Sequence, residues 1–201
     1  MVDVLEKYFN EQYPRVTEVL SRELNPHYLY HNLRHTLDVI ESTQIIGKAE
    51  GLESIDLWIL KIAALFHDTG FLEQRKHHEI AGVEYFKKQV GFELDNNLIE
   101  KISNCILATQ MPQNPKNLLE CVICDADLDY LGRNDFEEIG LDLFQELKYC
   151  NEIATETEWD EMQVKFLQHH IFHTHYSKTN REPIKQQHLS KLKLKLGYSN
   201  S

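Results

Sequence analysis

The feature that most constrains this sequence is an almost wholly apolar segment, from Ile55 to Phe66, that runs directly into the polar pair His67-Asp68. Because apolar residues fall on every side of the predicted helix, we expect it to lie inside the protein, with Ser54 as a suitable N-cap. Gly70 can adopt the left-handed conformation that ends a helix. We therefore expect two metal-binding side chains in the last turn of a buried helix.

The rest of the chain is predicted to be helical as well. Apolar residues recur with helical spacing almost throughout, and no segment shows the alternation of a strand, so the expected fold class is all-α. A length of 201 residues allows one full hydrophobic core. We expect a single domain over residues 1–201, a helical bundle with its motifs within about 28–131 and C-terminal helices at 135–196 packed on that part.

The charge limits the class of partner. A net charge of −11 disfavours a nucleic-acid polymer, whose binding needs clustered cations. A small anionic substrate would need a local cation, which a bound divalent metal supplies. The one basic stretch, Lys185 to Lys195, is interpreted as a solvated helix face. With no signal-peptide pattern and no apolar run of about 18 residues, we expect a cytoplasmic protein without membrane contact.

Polar residues also interrupt other apolar helix faces. His35 shares a row with Val39, which is expected to face the core, and Asp127 shares one with Ile123. A buried carboxylate is costly without a cation or hydrogen-bond donors, so Asp127 should have such a partner. Asp125 is the rival acid on a neighbouring row.

His35, His67, Asp68 and Asp127 would together form a mixed nitrogen and oxygen ligand set. Such a set suits one or two divalent ions of Mn, Fe, Ni, Co, Zn or Mg, and four protein ligands leave an octahedral ion two open positions. An ion of this kind lowers the pKa of a bound water and polarises a phosphoryl oxygen, which predicts hydrolysis of a phosphate ester.

Three local motifs carry a family resemblance. They are Tyr30-His31-Asn32-x-x-His35, Ala64-Leu65-Phe66-His67-Asp68 and Asp125-Ala126-Asp127-Leu128. In this order they resemble the HD-domain superfamily of helical, metal-dependent phosphohydrolases, with local similarity to class I cyclic-nucleotide phosphodiesterases. The resemblance covers about Tyr28 to Leu131.

The resemblance implies roles for individual residues. His35, His67, Asp68 and Asp127 would bind the metal, with Asp68 bridging to a second ion where one is bound. His31 would be the general acid, so the catalytic residues would be His31 and Asp68. The residues that would order waters or bind a second ion are His78, Glu79 and Asp125.

The sequence leaves open the substrate specificity and the role of the C-terminal histidines. The chain lacks the Gly-Tyr-Pro motif of cyclic-di-GMP hydrolases, and the sequence assigns no residue to the glutamine that the cyclic-nucleotide enzymes use on the purine. The resemblance also gives no role to His169, His170, His173 and His175, which are either surface or hydrogen-bonded core positions or substrate contacts. In the second case, candidate phosphate contacts are His173, Tyr176, Lys178 and Arg181.

The leading hypothesis is a metal-dependent phosphohydrolase acting on a nucleotide or other small phosphate ester through a metal-bound water, in a chain that can form a homodimer. One alternative is a di-iron HD-type oxygenase, with extra ligands from His78 and the histidines of residues 169–175. The other is a ligand sensor that holds its metal without catalysis.

Overall fold

In a computed structural model that describes residues 1–91 and 94–198, the chain folds into ten α-helices and two 3-10 turns, and these residues contain no strand. The all-α prediction is confirmed. The helices are α1 (Val2–Glu23), α2 (Leu33–Ala49), α3 (Ser54–Phe66), α4 (His78–Gln89), α5 (Asn96–Ala108), α6 (Leu118–Asp127), α7 (Phe136–Tyr149), α8 (Glu156–His169), α9 (His175–Asn180) and α10 (Glu182–Lys195). The 3-10 turns are Thr69–Leu72 and Asp129–Gly132.

Helix α3 lies at the centre of the packing. Its last eight residues, from Ile59 to Phe66, are fully buried except for Lys61, and the helix contacts α1, α2 and α5. The Phe66 ring meets the Phe86 ring of α4 edge-on, with centroids 5.2 Å apart. Burial of each large apolar side chain contributes about 1.5–3 kcal/mol. The expected interior helix is confirmed, and its end is held firmly in place.

The expectation for Gly70 was wrong in its mechanism. Gly51 and Gly197 are the glycines with positive φ in the described chain, so Gly70 does not end α3 by a left-handed turn. Helix α3 instead runs into the turn Thr69–Leu72, with His67 as its C-cap. A Cβ on Gly70 would lie 1.8 Å from the carbonyl oxygen of His78. The glycine is required because the turn and the start of α4 approach so closely.

The C-terminal helices join the motif region through a second apolar cluster and polar contacts. The cluster brings Tyr30 and Leu128 together with Phe136, Leu167 and Leu189 from helices α7, α8 and α10. Helix α10 also contacts the turn Asp129–Gly132. No helix in the described part of the chain is long and apolar enough to cross a membrane.

The basic C-terminal stretch is only partly a solvated face. Lys185, its first lysine, is 1% exposed and forms an ion pair with Glu182 at 2.9 Å. Its ammonium group also donates to the carbonyl oxygen of His170 at 2.6 Å. The expectation of a wholly solvated run was therefore wrong, because the first turn of α10 packs its lysine against the segment after α8.

We predict that Gly70→Ala lowers the free energy of unfolding by about 3 kcal/mol or more, since the new methyl group would overlap a backbone carbonyl that cannot move alone. The measurement is urea denaturation followed by circular dichroism. Gly140→Ala in α7 is the matched control, because its Cβ would lie 3.4 Å from Gln163 Oε1, an ordinary van der Waals contact. That variant should change stability by no more than about 1 kcal/mol. Equal effects at the two sites would contradict the close approach at Gly70.

Candidate active site

Four predicted ligands meet at the end of α3. His35 Nε2 lies 3.0 Å from Asp127 Oδ1 and 3.3 Å from His67 Nε2. Asp68 Oδ2 lies 3.2 Å from His67 Nε2 and 3.5 Å from His35 Nε2. Helices α2, α3 and α6 thus place two imidazoles and two carboxylates around one point. The grouping of His35, His67 and Asp127 has the spacing of residues that can share a metal ion.

The hydrogen bonding of the cluster fits a cation. His67 Nδ1 contacts the carbonyl oxygen of Ala64 at 2.8 Å, so in the neutral ring Nδ1 carries the proton and Nε2 presents a lone pair to the cluster. Asp68 Oδ2 is buried and has no hydrogen-bond partner among the described residues. Ligands about 2.1 Å from an ion and at right angles to one another are about 3 Å apart. The observed separations of 3.0–3.5 Å are close to this value.

The electrostatics of the cluster also favour positive charge at its centre. Burial would raise the pKa of Asp127, but the imidazoles of His35 and His67 outweigh it and lower that pKa to about 2. Burial would lower the pKa of His67, and the carboxylates of Asp68 and Asp127 outweigh it, so this pKa is raised well above its usual value. The residues therefore fit a divalent cation, which would interact with both carboxylates at once.

Asp125 lies outside this cluster. Its side chain is completely buried, and its two oxygens accept hydrogen bonds from the backbone N–H groups of His173 and Thr174, both at 2.8 Å. The Thr174 hydroxyl donates a third, at 2.6 Å. The structure therefore contradicts Asp125 as a rival ligand or second-ion ligand, because its oxygens are committed to the segment before α9.

His78 lies on the other side of Asp68. Its Nε2 is 3.3 Å from Asp68 Oδ1 and 3.5 Å from Glu79 Oε1, while its Nδ1 faces the carbonyl oxygen of Arg75 at 3.2 Å. Oδ2 of Asp68 thus faces His35 and His67, whereas Oδ1 faces His78. This arrangement is compatible with the expected bridging role of Asp68 and with a second ion beside His78.

His31 forms a dyad with Glu146, which sequence reasoning missed. His31 precedes α2, and its Nδ1 lies 2.5 Å from Glu146 Oε1. Glu146 Oε2 accepts from the backbone N–H groups of Tyr30 and His31, both at 3.0 Å. Burial would raise the pKa of Glu146, but the hydrogen bond and charge of His31 outweigh it and lower that pKa. The carboxylate only accepts, so Nδ1 donates and Nε2 remains for the cavity.

One aromatic ring contacts both histidines that flank the cluster. Phe71, in the turn after Asp68, stacks on His31 with ring centroids 4.2 Å apart. Its other neighbour is His78, at 4.1 Å. The imidazole centroids of His31 and His78 are 6.0 Å apart.

A cavity of about 210 Å³ adjoins the cluster. One end is polar and carries Asp68, Asp127, His31, His78 and Glu79. The remaining wall is mostly apolar and aromatic, with one amide from Gln163 of α8. The other residues that line this wall are Tyr30, Thr109, Met111, Leu128, Tyr130, Leu143, Leu147, Trp159, Met162 and Phe166. Gln163 is the second residue that sequence reasoning missed.

The candidate phosphate contacts at residues 173–181 do not line this cavity. The Arg181 guanidinium donates to both oxygens of Asp129, at 2.7 and 3.1 Å, and Lys178 Nζ donates to the carbonyl oxygen of His173. Tyr176 donates its backbone N–H to Glu50. These contacts argue against the expected phosphate role, because the charged groups of this segment serve its attachment to the rest of the fold.

The other C-terminal histidines also lie away from the cavity. His169 is exposed and contacts the carbonyl oxygen of Lys165 with its Nδ1, while His170 faces Lys185. Burial lowers the pKa of His170 to about 3, and the positive charge of Lys185 adds to the effect. Neither these two nor His173 and His175 line the cavity. The surface or hydrogen-bonded core interpretation therefore agrees with their positions.

We predict that divalent metal stabilises the wild type by about 2.7 kcal/mol at a concentration one hundred times its Kd. Asp127→Asn should abolish this stabilisation, measured as the metal-dependent shift in urea midpoint, because it removes a ligand charge from the cluster. Asp125→Asn should keep wild-type metal stoichiometry and lower stability by about 1–3 kcal/mol, since three donors lose their charged acceptor. The opposite pattern for the two aspartates would reject the assignment.

The comparisons with known proteins agree with this geometry. The family model described as HD domain matches residues 32–130, a range that contains all four residues of the cluster. No curated protein and no solved structure matches the chain. HD domains are in general metal-dependent hydrolases that bind divalent ions. The match, the helical fold and the clustered histidines and aspartates together support membership of the HD-domain superfamily.

Proposed function

We propose that this protein is a metal-dependent phosphohydrolase that acts on a nucleotide or another small phosphate ester. The observation that carries the proposal is the position of the ligand cluster and the His31–Glu146 dyad at the same end of one cavity. A bound divalent ion would polarise the phosphoryl oxygen and lower the pKa of the attacking water. His35, His67, Asp68 and Asp127 would hold it.

His31 would act as the general acid. Glu146 fixes the imidazole through Nδ1, which leaves Nε2 to present a proton to the cavity. As the water oxygen forms its bond to phosphorus, the bond from phosphorus to the leaving oxygen breaks. His31 would give its Nε2 proton to that leaving oxygen, so the leaving group departs as an alcohol rather than as an alkoxide.

Asp68 would receive the proton of the attacking water. Its Oδ2 is buried without a hydrogen-bond partner among the residues the structure describes, and its Oδ1 faces His78. Burial would raise the pKa of Asp68, but the positive charge of His67 outweighs it and holds that pKa well below the usual range, which keeps Asp68 a carboxylate. Asp68 would therefore combine binding of the cation with orientation of the water.

The apolar wall supports a substrate with an aromatic part. The rings of Trp159 and Phe166 line the cavity, and Gln163 adds one side-chain amide between them in sequence. An amide offers a donor and an acceptor, which suits the hydrogen-bonding edge of a nucleobase. These features favour a nucleotide among phosphate esters, and the expected partner remains a small phosphorylated molecule in the cytoplasm, with homodimerisation as a further expectation.

The oxygenase alternative has weaker support. It requires additional histidine ligands, and of those expected only His78 adjoins the cluster, at 3.3 Å from Asp68. The histidines of residues 169–175 do not line the cavity. Metal analysis after loading with Mn or Fe, together with oxygen consumption, tests this point, because an oxygenase would consume oxygen and a hydrolase would release phosphate or alcohol.

We predict that His31→Ala and Glu146→Gln each lower kcat by about 10²–10⁴-fold, because the acid is lost or its ring is held in the wrong tautomer. The assay measures hydrolysis of a nucleotide panel and of nitrophenyl phosphates with Mn, Co, Ni or Mg. Both variants should still show the metal-dependent rise in stability. Glu138→Gln, in the exposed part of α7, should keep wild-type kcat. Normal turnover in His31→Ala would favour the non-catalytic sensor.

We predict that Gln163→Leu raises KM for nucleotides by about 5- to 30-fold, since a buried base edge would lose its hydrogen-bond partner. KM for 4-nitrophenyl phosphate, which lacks a base edge, should change less than about 3-fold. The measurement is a pair of saturation curves for each enzyme. Equal changes for the two substrates would show that Gln163 does not contact the base.

A further inference from the structure

The cavity differs from a typical polyphosphate site in its charges. Its lining includes the three carboxylates of Asp68, Glu79 and Asp127, and among the described residues that line it there is no Lys or Arg. Sites for nucleoside di- and triphosphates normally place Lys or Arg side chains against the additional phosphates. Here the histidines and a cation at the ligand cluster would be the only positive groups available to a substrate within the described lining.

The arginines of a neighbouring cavity are already paired. Arg34 and Arg133 line this separate cavity of about 130 Å³, which also has Tyr30 and Tyr130 in its wall. Arg34 pairs with Asp142, and Arg133 donates to Asp38 at 2.7 Å.

Arg75, on the segment before α4, is also engaged. It pairs with Glu152, and its side chain does not line the catalytic cavity. Recruitment of Arg34, Arg75 or Arg133 to a second phosphate would require breaking at least one of these ion pairs.

The volume and the apolar wall of the cavity also disfavour a substrate with more than one phosphate. A volume of about 210 Å³ is below the about 300–1,000 Å³ typical of ligand pockets. The space beyond the polar end is bounded by Leu143, Leu147, Trp159 and Phe166. A second phosphate placed against this wall would lose its hydration and gain no cationic partner, whereas a flat aromatic group would bury apolar surface.

We infer that the substrate carries a single phosphate group attached to a flat, largely apolar body, and that nucleoside di- and triphosphates are rejected. This inference rests on the proposed function and narrows its substrate class. The first phosphate lies at the ligand cluster beside His31, and the base or aryl group lies against Trp159 and Phe166. The enzyme discriminates monophosphates from di- and triphosphates through the charge of the cavity wall rather than through recognition of the base.

The first experiment compares AMP, ADP, ATP and 4-nitrophenyl phosphate at constant free metal. We expect kcat/KM to fall by more than about 100-fold from AMP to ATP, because an unpaired charge is strongly disfavoured in such a wall. Turnover of ATP equal to or better than that of AMP overturns the inference while leaving the phosphohydrolase proposal intact. Absence of hydrolysis with these four compounds and with the whole nucleotide panel, with every metal, rejects the proposed function and the inference with it. The aryl phosphate shows whether a base is required.

A binding measurement separates recognition from turnover. Trp159 lines the cavity, so its fluorescence can report binding of a ligand. The chain has two tryptophans, so Trp58→Phe removes the other signal, and His31→Ala prevents turnover during the measurement. We expect quenching by AMP at concentrations at least about 30-fold below those needed for ATP. Equal affinities for AMP and ATP overturn the inference.

A change of charge at the rim tests the cause. Met162 lines the cavity and is 42% exposed, so Met162→Arg can add a cation without disturbing the core. This variant should improve the ATP-to-AMP affinity ratio by about 5-fold, and the neutral control Met162→Gln should leave it unchanged. An unchanged ratio in Met162→Arg, or the same improvement in both variants, would show that wall charge is not the cause and overturn the inference.

Discussion

The structure depends on bringing two imidazoles and two carboxylates together where water is largely excluded. His35, His67, Asp68 and Asp127 have facing nitrogen and oxygen atoms 3.0–3.5 Å apart. Such a grouping repels itself unless protons or a cation stand between its members. The surrounding fold counters this repulsion with the apolar contacts of α3, which is buried along most of its length. Burial of α3 therefore stabilises the fold against the repulsion within the cluster, and a bound divalent ion would reduce that repulsion.

The end of α6 shows how one short segment serves three different purposes. Asp125, Asp127 and Asp129 are alternate residues, yet each carboxylate has a different partner. Asp125 holds the segment before α9, Asp127 joins the histidine cluster, and Asp129 pairs with Arg181. Asp125 and Asp127 both belong to α6, where residues two apart point about 200° apart, and Asp129 begins the 3-10 turn that follows. The C-terminal helices are consequently attached on both sides of a candidate metal ligand.

The sequence was informative where the signal was periodic and local. Helical spacing predicted the interior position of α3 and placed His35 and Asp127 on inward rows, because each signal lies within one helix. It favoured Asp127 but left Asp125 as a rival, since both lie on rows with apolar residues and only their tertiary partners distinguish them. Glu146 and Gln163 were missed for a related reason. Glu146 follows the inward-facing Leu143 by three residues, which is a usable signal, but its partner His31 is 115 residues away. Gly70 was noticed for its conformational freedom, whereas its real importance is the approach of another helix.

The Phe71 ring has a consequence for how the two histidines are held. Its centroid lies 4.2 Å from that of His31 and 4.1 Å from that of His78, and the two imidazole centroids are 6.0 Å apart, so the three rings pack at the corners of a triangle. Each histidine also contacts its own carboxylate, Glu146 for His31 and Asp68 for His78. Because one side chain packs against both imidazoles, a change of size at position 71 would displace the proposed general acid and the histidine beside the ligand cluster together.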